Sequence, residues 1–196
     1  PLGEFLSVII SGMATGSAYA LLALAVVIIF RSTDTVNFAI GDTGAFGLYV
    51  GLYGLVIGLP LWLACVLGVL VAAGIGVVTE RCIIRPLGHG PKVVFVALVV
   101  TIGLGLVLQA AMGALWGHEP RSFPPLVEGW INIGGIPISM NKIAATVTAL
   151  IAMGLVAWFF GYSPFGIAMR ASAEDPIAAR MLGFKTGKIA AIAWFL

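Results

Sequence analysis

Asp42 is the side chain whose position most directly indicates chemistry, because it lies within the apolar segment 36–59. An ionisable group at membrane depth is costly unless it faces a partner or water, so Asp42 is a candidate for a polar site in a membrane pathway. A second interpretation is structural: Asn37 and Asp42 would cap a helix that is broken or re-entrant at Gly41, with Asp42 bonded to free amides. The residues favour the cap and leave both interpretations open.

Two further features could serve a pathway or a partner. Thr101 and Gly103 lie in the apolar segment 93–116 and suit either a pathway lining or close helix packing. In the loop 162–188, Asp175 and Pro176 predict a helix start, and Gly183 predicts its end. The resulting two-turn helix, Pro176–Leu182, has an apolar side. It is too short to be stable alone, so it needs a surface to pack on, either the membrane interface or another protein.

Motifs for catalysis are absent from the sequence. It contains no glycine-rich phosphate loop, no His-Glu-x-x-His motif, no Gly-x-Ser-x-Gly motif and no intramembrane His–acid pair. His89 and His118 are expected on opposite sides of a membrane, and Cys65 and Cys82 do not make a disulfide framework. We therefore expect no catalytic residue, no metal and no cofactor, and the chain is not predicted to be an enzyme.

The elements that must position these residues follow from the charge map. All ten Lys and Arg lie at the ends of long apolar segments, 61% of residues are hydrophobic and 9% are charged. About 20 apolar residues span the hydrocarbon core as a helix. We predict one all-α polytopic transmembrane domain, 1–196, which we expect to be cut within its last span, with spans at 5–30, 36–59, 60–79, 93–116, 143–161 and, in part, 189–196.

The basic residues also predict the orientation. Loops after the first, third and fifth segments carry Arg31, then Arg81, Arg85 and Lys92, then Arg170, Arg180, Lys185 and Lys188. The opposite side carries Arg121 and Lys142. This bias places the amino terminus outside, the loop 117–142 outside and the loop 162–188 in the cytoplasm.

Small residues and one loop predict finer structure. Gly12–Gly16, Gly47–Gly51 and Gly54–Gly58 have a four-residue spacing that suits close helix contacts. Gly58-Leu59-Pro60 is expected to be a tight external turn. Short alternating runs around Gly134-Gly135 suggest either a small β-hairpin on the outer surface or a solvated connector.

The loop 162–188 resembles the coupling loop of ABC-importer permeases, whose usual form is Glu-Ala-Ala, three residues and Gly. This chain has Ile177-Ala178-Ala179, then three residues and Gly183, so the leading glutamate is replaced. The wider pattern, Gly166-Ile167-Ala168-Met169-Arg170-Ala171 running into Asp175, is similar to the branched-chain amino-acid permeases.

Four other stretches resemble the same subgroup in the same order. They are Gly16–Leu24, Asn37-Phe38-Ala39-Ile40-Gly41-Asp42 (with Ile40 where histidine is common), Glu80-Arg81 with Arg85-Pro86-Leu87, and Thr101-Ile102-Gly103-Leu104 with Leu108-Gln109. The resemblance covers nearly the whole chain.

The resemblance implies a permease subunit of a binding-protein-dependent importer in the bacterial inner membrane. Its implied partners are two cytoplasmic ATP-binding subunits, a second permease subunit (a paralogue), a periplasmic substrate-binding protein and the lipid bilayer, with no nucleic acid. The implied substrates are branched-chain amino acids, although related permeases carry other amino acids, amides or urea. The positions implied for docking of the ATPase are Gly166, Arg170, Ala171, Asp175, Ala178, Ala179 and Gly183; an interfacial anchoring helix is the alternative.

A different class of function is also compatible with Asp42 and Gly41. A self-contained secondary carrier or channel for small solutes such as amides or urea often has discontinuous helices with sites near the midplane. The loop 162–188 discriminates between the two classes, since a self-contained carrier has no need to present a capped amphipathic helix to the cytoplasm.

Overall fold

The computed structural model describes residues 2–88, 91–119, 121–133, 136–174, 179, 181 and 186–196. Its long helices are α1 (Leu2–Thr33), α2 (Ile40–Val56), α3 (Leu61–Thr79), α5 (Pro91–Trp116) and α6 (Met140–Tyr162). The shorter elements are a π-helical turn (Glu80–Ile84), α4 (Arg85–Leu87), α7 (Pro164–Glu174), α8 (Thr186–Phe195) and the strands β1 (Trp130–Ile133) and β2 (Ile136–Ser139).

The apolar runs form helices that suit a bilayer, since a helix satisfies its own backbone groups. Among the described residues, four helices are long and apolar enough to cross a membrane: Ser7–Thr33, Leu61–Leu87, Val93–Trp116 and Met140–Tyr162. The chain is therefore an all-α multi-pass membrane protein.

The third span is longer than predicted. The sequence predicts an end at Thr79 because Glu80 and Arg81 introduce charge, yet the helix continues through the π-helical turn and α4 to Leu87. The prediction of a loop directly after Thr79 is wrong for residues 80–87, which are helical. The physical reason is an ion pair within the helix: Arg85 neutralises the buried carboxylate of Glu80 at 2.7 Å, so the charge does not end the helix.

The second helix is shorter than the predicted span 36–59. It begins at Ile40, and residues 35–39, which precede it, are irregular. Thr35, Asn37 and Ala39 in this segment are nevertheless buried. At its other end α2 turns into α3 through Gly58, whose φ of 92° is open to glycine at little cost. The predicted tight turn at Gly58-Leu59-Pro60 is confirmed.

The glycines of α2 allow close packing against the antiparallel α3. A Cβ on Gly47 would lie 2.5 Å from the Gly68 carbonyl oxygen, and one on Gly51 would lie 2.9 Å from that of Ala64. The prediction for Gly47–Gly51 is therefore confirmed. For Gly12–Gly16 no close contact is seen, since a Cβ at either position would have no neighbour within 4 Å among the described residues; the spacing there stays a prediction.

The remaining helices pack on this pair or on one another. Helices α1 and α6 run parallel: Lys142 donates to Ser11 Oγ at 2.7 Å near their starts, and Phe160 packs against the cluster that contains Ile28 near their ends. On the other side, the Trp116 ring lies 5.4 Å from that of Phe46, which anchors the end of α5 to α2.

Of the two alternatives that the sequence leaves open between α5 and α6, the β-hairpin is present. Strands β1 and β2 pair antiparallel in the register Trp130↔Ser139 to Ile133↔Ile136, so two residues connect them. Pro137 lies in this two-stranded sheet, where every strand is an edge strand that tolerates proline. The hairpin precedes α6 directly, so part of the predicted loop 117–142 is ordered structure.

The predicted loop 162–188 contains an additional helix. The sequence predicts helical structure only at Pro176–Leu182, whereas α7 occupies Pro164–Glu174. The missed signal is Ser163 followed by Pro164, a cap and first-turn pair that resembles the Asp175–Pro176 pair farther along. Of the predicted helix, Ala179 and Met181 are described, and both have helical backbone.

Candidate functional site

The first part of the candidate site is the irregular segment that enters α2. Asn37 Oδ1 accepts a hydrogen bond from the Ala39 backbone amide at 2.9 Å, and Thr43 Oγ1 donates to the Ala39 carbonyl at 2.8 Å. Asn37 is 5% exposed. Backbone without regular structure can be buried at membrane depth only where side chains satisfy its polar groups, and Asn37 has that role here.

Thr101 of α5 provides the second support for this segment. Its side chain is fully buried, and its hydroxyl accepts from the Phe38 amide at 3.3 Å and donates to the Leu98 carbonyl at 3.0 Å. The pathway candidates Asn37 and Thr101 therefore lie at the same junction between the segment 35–39 and α5. Both side chains form hydrogen bonds with backbone groups of that segment. This arrangement orients the start of α2 against the middle of α5.

Asp42 lies in the first turn of α2 and faces α5. Its Oδ1 accepts a hydrogen bond from Gln109 Nε2 at 2.9 Å, and a Cβ on Gly105 would lie 2.5 Å from its Oδ2. Gly105 is about 21 Å along α5 from Pro91 and about 16 Å from Trp116 at 1.5 Å per residue. Asp42 thus lies at the start of α2 but beside the middle of α5, which is long enough to span a membrane.

These contacts correct the capping interpretation in detail. The helix begins at Ile40 and is not broken at Gly41, and its N-cap residue Ala39 makes no side-chain capping bond. Asn37 binds a backbone amide as expected, whereas Asp42 bonds to Gln109. A carboxylate in the first turn still interacts favourably with the positive end of the helix dipole.

The two glycine candidates have open surroundings. A Cβ on Gly41 or on Gly103 would have nothing within 4 Å among the described residues. Close packing through Gly103 is therefore not what the structure shows. In α5 the glycine packed against Asp42 is Gly105, which the sequence alone does not single out.

A cavity of about 630 Å³ adjoins the junction. It runs along α2 from Asn37 and Ile40 to Gly51, and its wall is mostly apolar. The glycine-rich faces of α2 and α3 form its sides, and Phe123 and Asn141 line it near the hairpin. The cavity is also lined by the end of α8, at Ala193, Trp194 and Phe195, and by Leu196, which follows that helix.

The second part of the site is the sharp connection between α6 and α7. Ser163 Oγ accepts from the Gly166 amide at 2.9 Å, which caps α7. A Cβ on Gly166 would lie 2.5 Å from the Phe160 carbonyl oxygen and 2.6 Å from the Phe160 Cα. Only glycine fits at this position, because α7 folds back against the last turn of α6.

Other docking candidates of this loop have the following positions. Arg170 donates to the Gly161 carbonyl at 3.3 Å, near the end of α6. Ala171 is half-buried and Ala179 is 1% exposed, whereas Met181 is 83% exposed. Asp175, Ala178 and Gly183 lie outside the described residues.

Helix α7 packs into the bundle on one side. Ala168 and Met169 are buried in a cluster with Ile28 of α1 and with Ile189 and Ala193 of α8. On the opposite side of α7, Ile167 is exposed, and Phe165 in the first turn of the helix is exposed as well. The loop therefore presents apolar side chains outward while it is anchored to three other helices of the bundle.

Sequence reasoning missed Gly105 and Gln109 as partners of Asp42. Gln109 had a detectable signal, since it is the one amide side chain within the apolar segment 93–116. Its partner could not be assigned without the rotation of α5 about its own axis.

Comparison with known proteins decides the family. The protein-family model described as branched-chain amino acid transport system / permease component matches residues 8–196 of this chain. The chain belongs to this family. Family members are transport permeases, and the four long apolar helices are those of a membrane-embedded permease.

Curated relatives of the family match over most of the chain. The high-affinity branched-chain amino acid transport permease BraD of Pseudomonas aeruginosa is 26% identical over 98% of this chain and 67% of its own length. LivH of Salmonella typhimurium, described in the same words, is 28% identical over 98% of this chain and 66% of its own. The chain thus spans about two thirds of the length of these relatives. No solved structure matches it.

Proposed function

We propose that this chain is a transmembrane subunit of an ATP-driven importer for branched-chain or related amino acids. The observation that carries the proposal is the family match across residues 8–196. Hydrolysis of ATP is assigned to separate subunits, since the sequence lacks a phosphate-binding loop. The function of the chain is then to convert movement of those subunits into a change of the membrane pathway.

The orientation proposed is amino terminus outside, in the inner membrane of a bacterium. Arg31 ends α1, Arg81 and Arg85 follow α3, and Arg170 follows α6, so these cations belong to the same end of the bundle. The positive-inside rule assigns that end to the cytoplasm. The β-hairpin then faces the periplasm, where it offers a landing surface for a substrate-binding protein.

The docking surface proposed for the ATPase consists of Ile167 and Met181, which are exposed apolar side chains at the cytoplasmic end. Residues two apart on a helix point to nearly opposite sides. Buried Ala179 and exposed Met181 are consistent with a segment that packs inward on one side and docks on the other. Gly166, Arg170, Ala171 and Ala179 would then shape the surface, and the assignment of Asp175, Ala178 and Gly183 remains a prediction. A paralogous permease completes the pathway.

The pathway proposed is the cavity beside α2 and α3. Its apolar wall suits an aliphatic side chain, and its few polar groups include Asn37 and Thr43. Asp42 is absent from the lining and bonds to Gln109. This arrangement favours the importer over a self-contained carrier that would use Asp42 as its central charge.

The test uses the protein assembled with its ATPase subunits. Met181→Glu places a charge in the proposed docking surface, and Met181→Leu is the matched control because it keeps the apolar volume. We expect Met181→Glu to insert normally but to lose at least tenfold in ATPase affinity and in uptake, a loss equivalent to about 1.4 kcal/mol. Normal ATPase binding by Met181→Glu would contradict this docking surface, and failure of the native chain to bind any ATPase would overturn the importer.

A further inference from the structure

The π-helical turn Glu80–Ile84 brings an ion pair together that an α-helix could not form. Residues five apart on an α-helix are separated by about 140° around its axis. A π-helical turn closes its hydrogen bonds over five residues, so residues five apart come onto the same side. Glu80 and Arg85 use this geometry: Arg85 Nε binds Glu80 Oε1 at 3.0 Å, and Nη2 binds Oε2 at 2.7 Å.

The burial of Glu80 fixes the pair, although the Arg85 side chain is 41% exposed. Glu80 is 2% exposed, and a buried carboxylate requires a partner that neutralises it. The planar guanidinium binds both oxygens at once, which fixes the direction of the Arg85 side chain as well as its charge. The Glu80–Arg85 pair therefore holds the Arg85 guanidinium in one orientation at the end of the third span.

Arg85 has a third contact, which leaves the helix. The same Nη2 donates to the Gly187 carbonyl at 2.6 Å, across 102 residues of sequence. A Cβ on Gly187 would lie 3.3 Å from Arg85 Cζ, so the guanidinium lies against the backbone at the start of α8. Gly187 belongs to the last residues of the loop 162–188, for which we propose the role in ATPase coupling.

A second contact joins α8 to the same span, at Gly76, which lies nine residues before Arg85. The backbone at Gly76 is so close to the Trp194 carbonyl that a Cβ could not be accommodated. Gly76 and Trp194 both line the cavity. Helix α8 is thus held to the third span at two points, Gly187 with Arg85 and Trp194 with Gly76, and the π-helical turn lies between them.

We infer that Arg85 is a positioning residue that transmits movement of the coupling loop to the cavity wall. The inference rests on the proposed function. When the loop moves, Arg85 carries the displacement from Gly187 to the third span. That span carries Gly68 and Gly76 of the wall, so the cavity changes shape with the loop. An arrangement of two packed helices moving as a unit is an established way to convert docking into a conformational change.

The experiment uses the full-length transporter with its ATPase subunits in proteoliposomes. Arg85→Lys keeps a charge for Glu80 but loses the two-pronged geometry, and the double variant Glu80→Gln/Arg85→Gln leaves no unpaired buried charge. Arg81→Gln is the matched control, since Arg81 is exposed on the same turn. For each variant we measure ATPase association, ATP hydrolysis and solute transported per ATP.

We expect both Arg85 variants to bind the ATPase and hydrolyse ATP within about twofold of the native rate, while solute transported per ATP falls at least fivefold. Arg81→Gln is expected to match the native ratio. An unchanged ratio in the Arg85 variants overturns the inference. So does a parallel fall of transport, hydrolysis and assembled complex, which would identify the pair as structural only. Absence of ATPase association in the native protein refutes the proposed function instead, so the two failures are distinguishable.

Discussion

The Asp42 carboxylate and the Gln109 amide, 67 residues apart in sequence, form a 2.9 Å hydrogen bond between α2 and α5. The bond occurs where Gly105 lets the two helices approach, since a Cβ there would contact Asp42. Asp42 is thus an acid with a defined protein partner near the middle of the bundle. The contact joins the start of the short α2 to the long α5, and we predict a structural role for Asp42.

Replacing Asp42 tests this structural role. Asp42→Asn keeps an oxygen for Gln109, so we expect uptake within about threefold of native and a loss of about 1 kcal/mol in the free energy of unfolding, the difference between a charged and a neutral hydrogen bond. Asp42→Leu removes the acceptor and should cost about 2 kcal/mol. Thermal unfolding in detergent and uptake in proteoliposomes measure the two effects.

Gln109→Leu is the complementary change. If the bond accounts for the effect of Asp42→Leu, adding Gln109→Leu to it should cost little more, because residues in direct contact are not additive. Loss of uptake in a correctly assembled Asp42→Asn variant would contradict the structural role and would make Asp42 part of the pathway.

The long helices could be predicted from the sequence because one physical rule governs them. A run of about 20 apolar residues must be helical in lipid, and α1, α5 and α6 accordingly begin and end within three residues of the expected limits. The sequence offered the β-hairpin only as one of two alternatives, because a Gly-Gly pair between alternating runs is a local signal that also suits a solvated connector.

The features that the sequence did not predict have two causes. Some depend on partners that are distant in sequence, and others depend on which side of its helix a residue occupies. The start of α2 at Ile40 depends on Thr101, and the continuation of α3 depends on Arg85. Both require knowledge of which way a side chain points about its helix axis. Apolar runs do not contain that information, because every side of a membrane helix is apolar.

The close approach of α2 and α3 predicts a difference between two glycines of α3. A Cβ on Gly68 would lie 2.6 Å from the Gly47 carbonyl oxygen, whereas Gly74 has open space among the described residues. We expect Gly68→Ala to lower the free energy of unfolding by about 1–3 kcal/mol through overpacking. Gly74→Ala, the control, should be neutral or more stable by up to about 1 kcal/mol, since alanine favours the helix. Equal thermal stabilities for the two variants would rule out the tight interface.

The fold of α7 against α6 predicts that Gly166 controls docking from a distance. Gly166→Ala would force its methyl group into the Phe160 backbone, so α7 must rotate away from the last turn of α6. The exposed Ile167 of the proposed docking surface would move with it. Because overpacking costs about 1–3 kcal/mol, we expect ATPase affinity to fall between about fivefold and 150-fold, measured by pull-down titration of the protein with its ATPase subunits.

Gly161→Ala is the control for this prediction, because a Cβ on Gly161 would have nothing within 4 Å among the described residues. Gly161 lies just before the connection, and the variant should bind the ATPase normally. If Gly166→Ala binds as well as Gly161→Ala does, α7 tolerates rotation without loss of the docking surface. The surface would then be formed by the residues around Met181 alone, since α7 would no longer be required to present it.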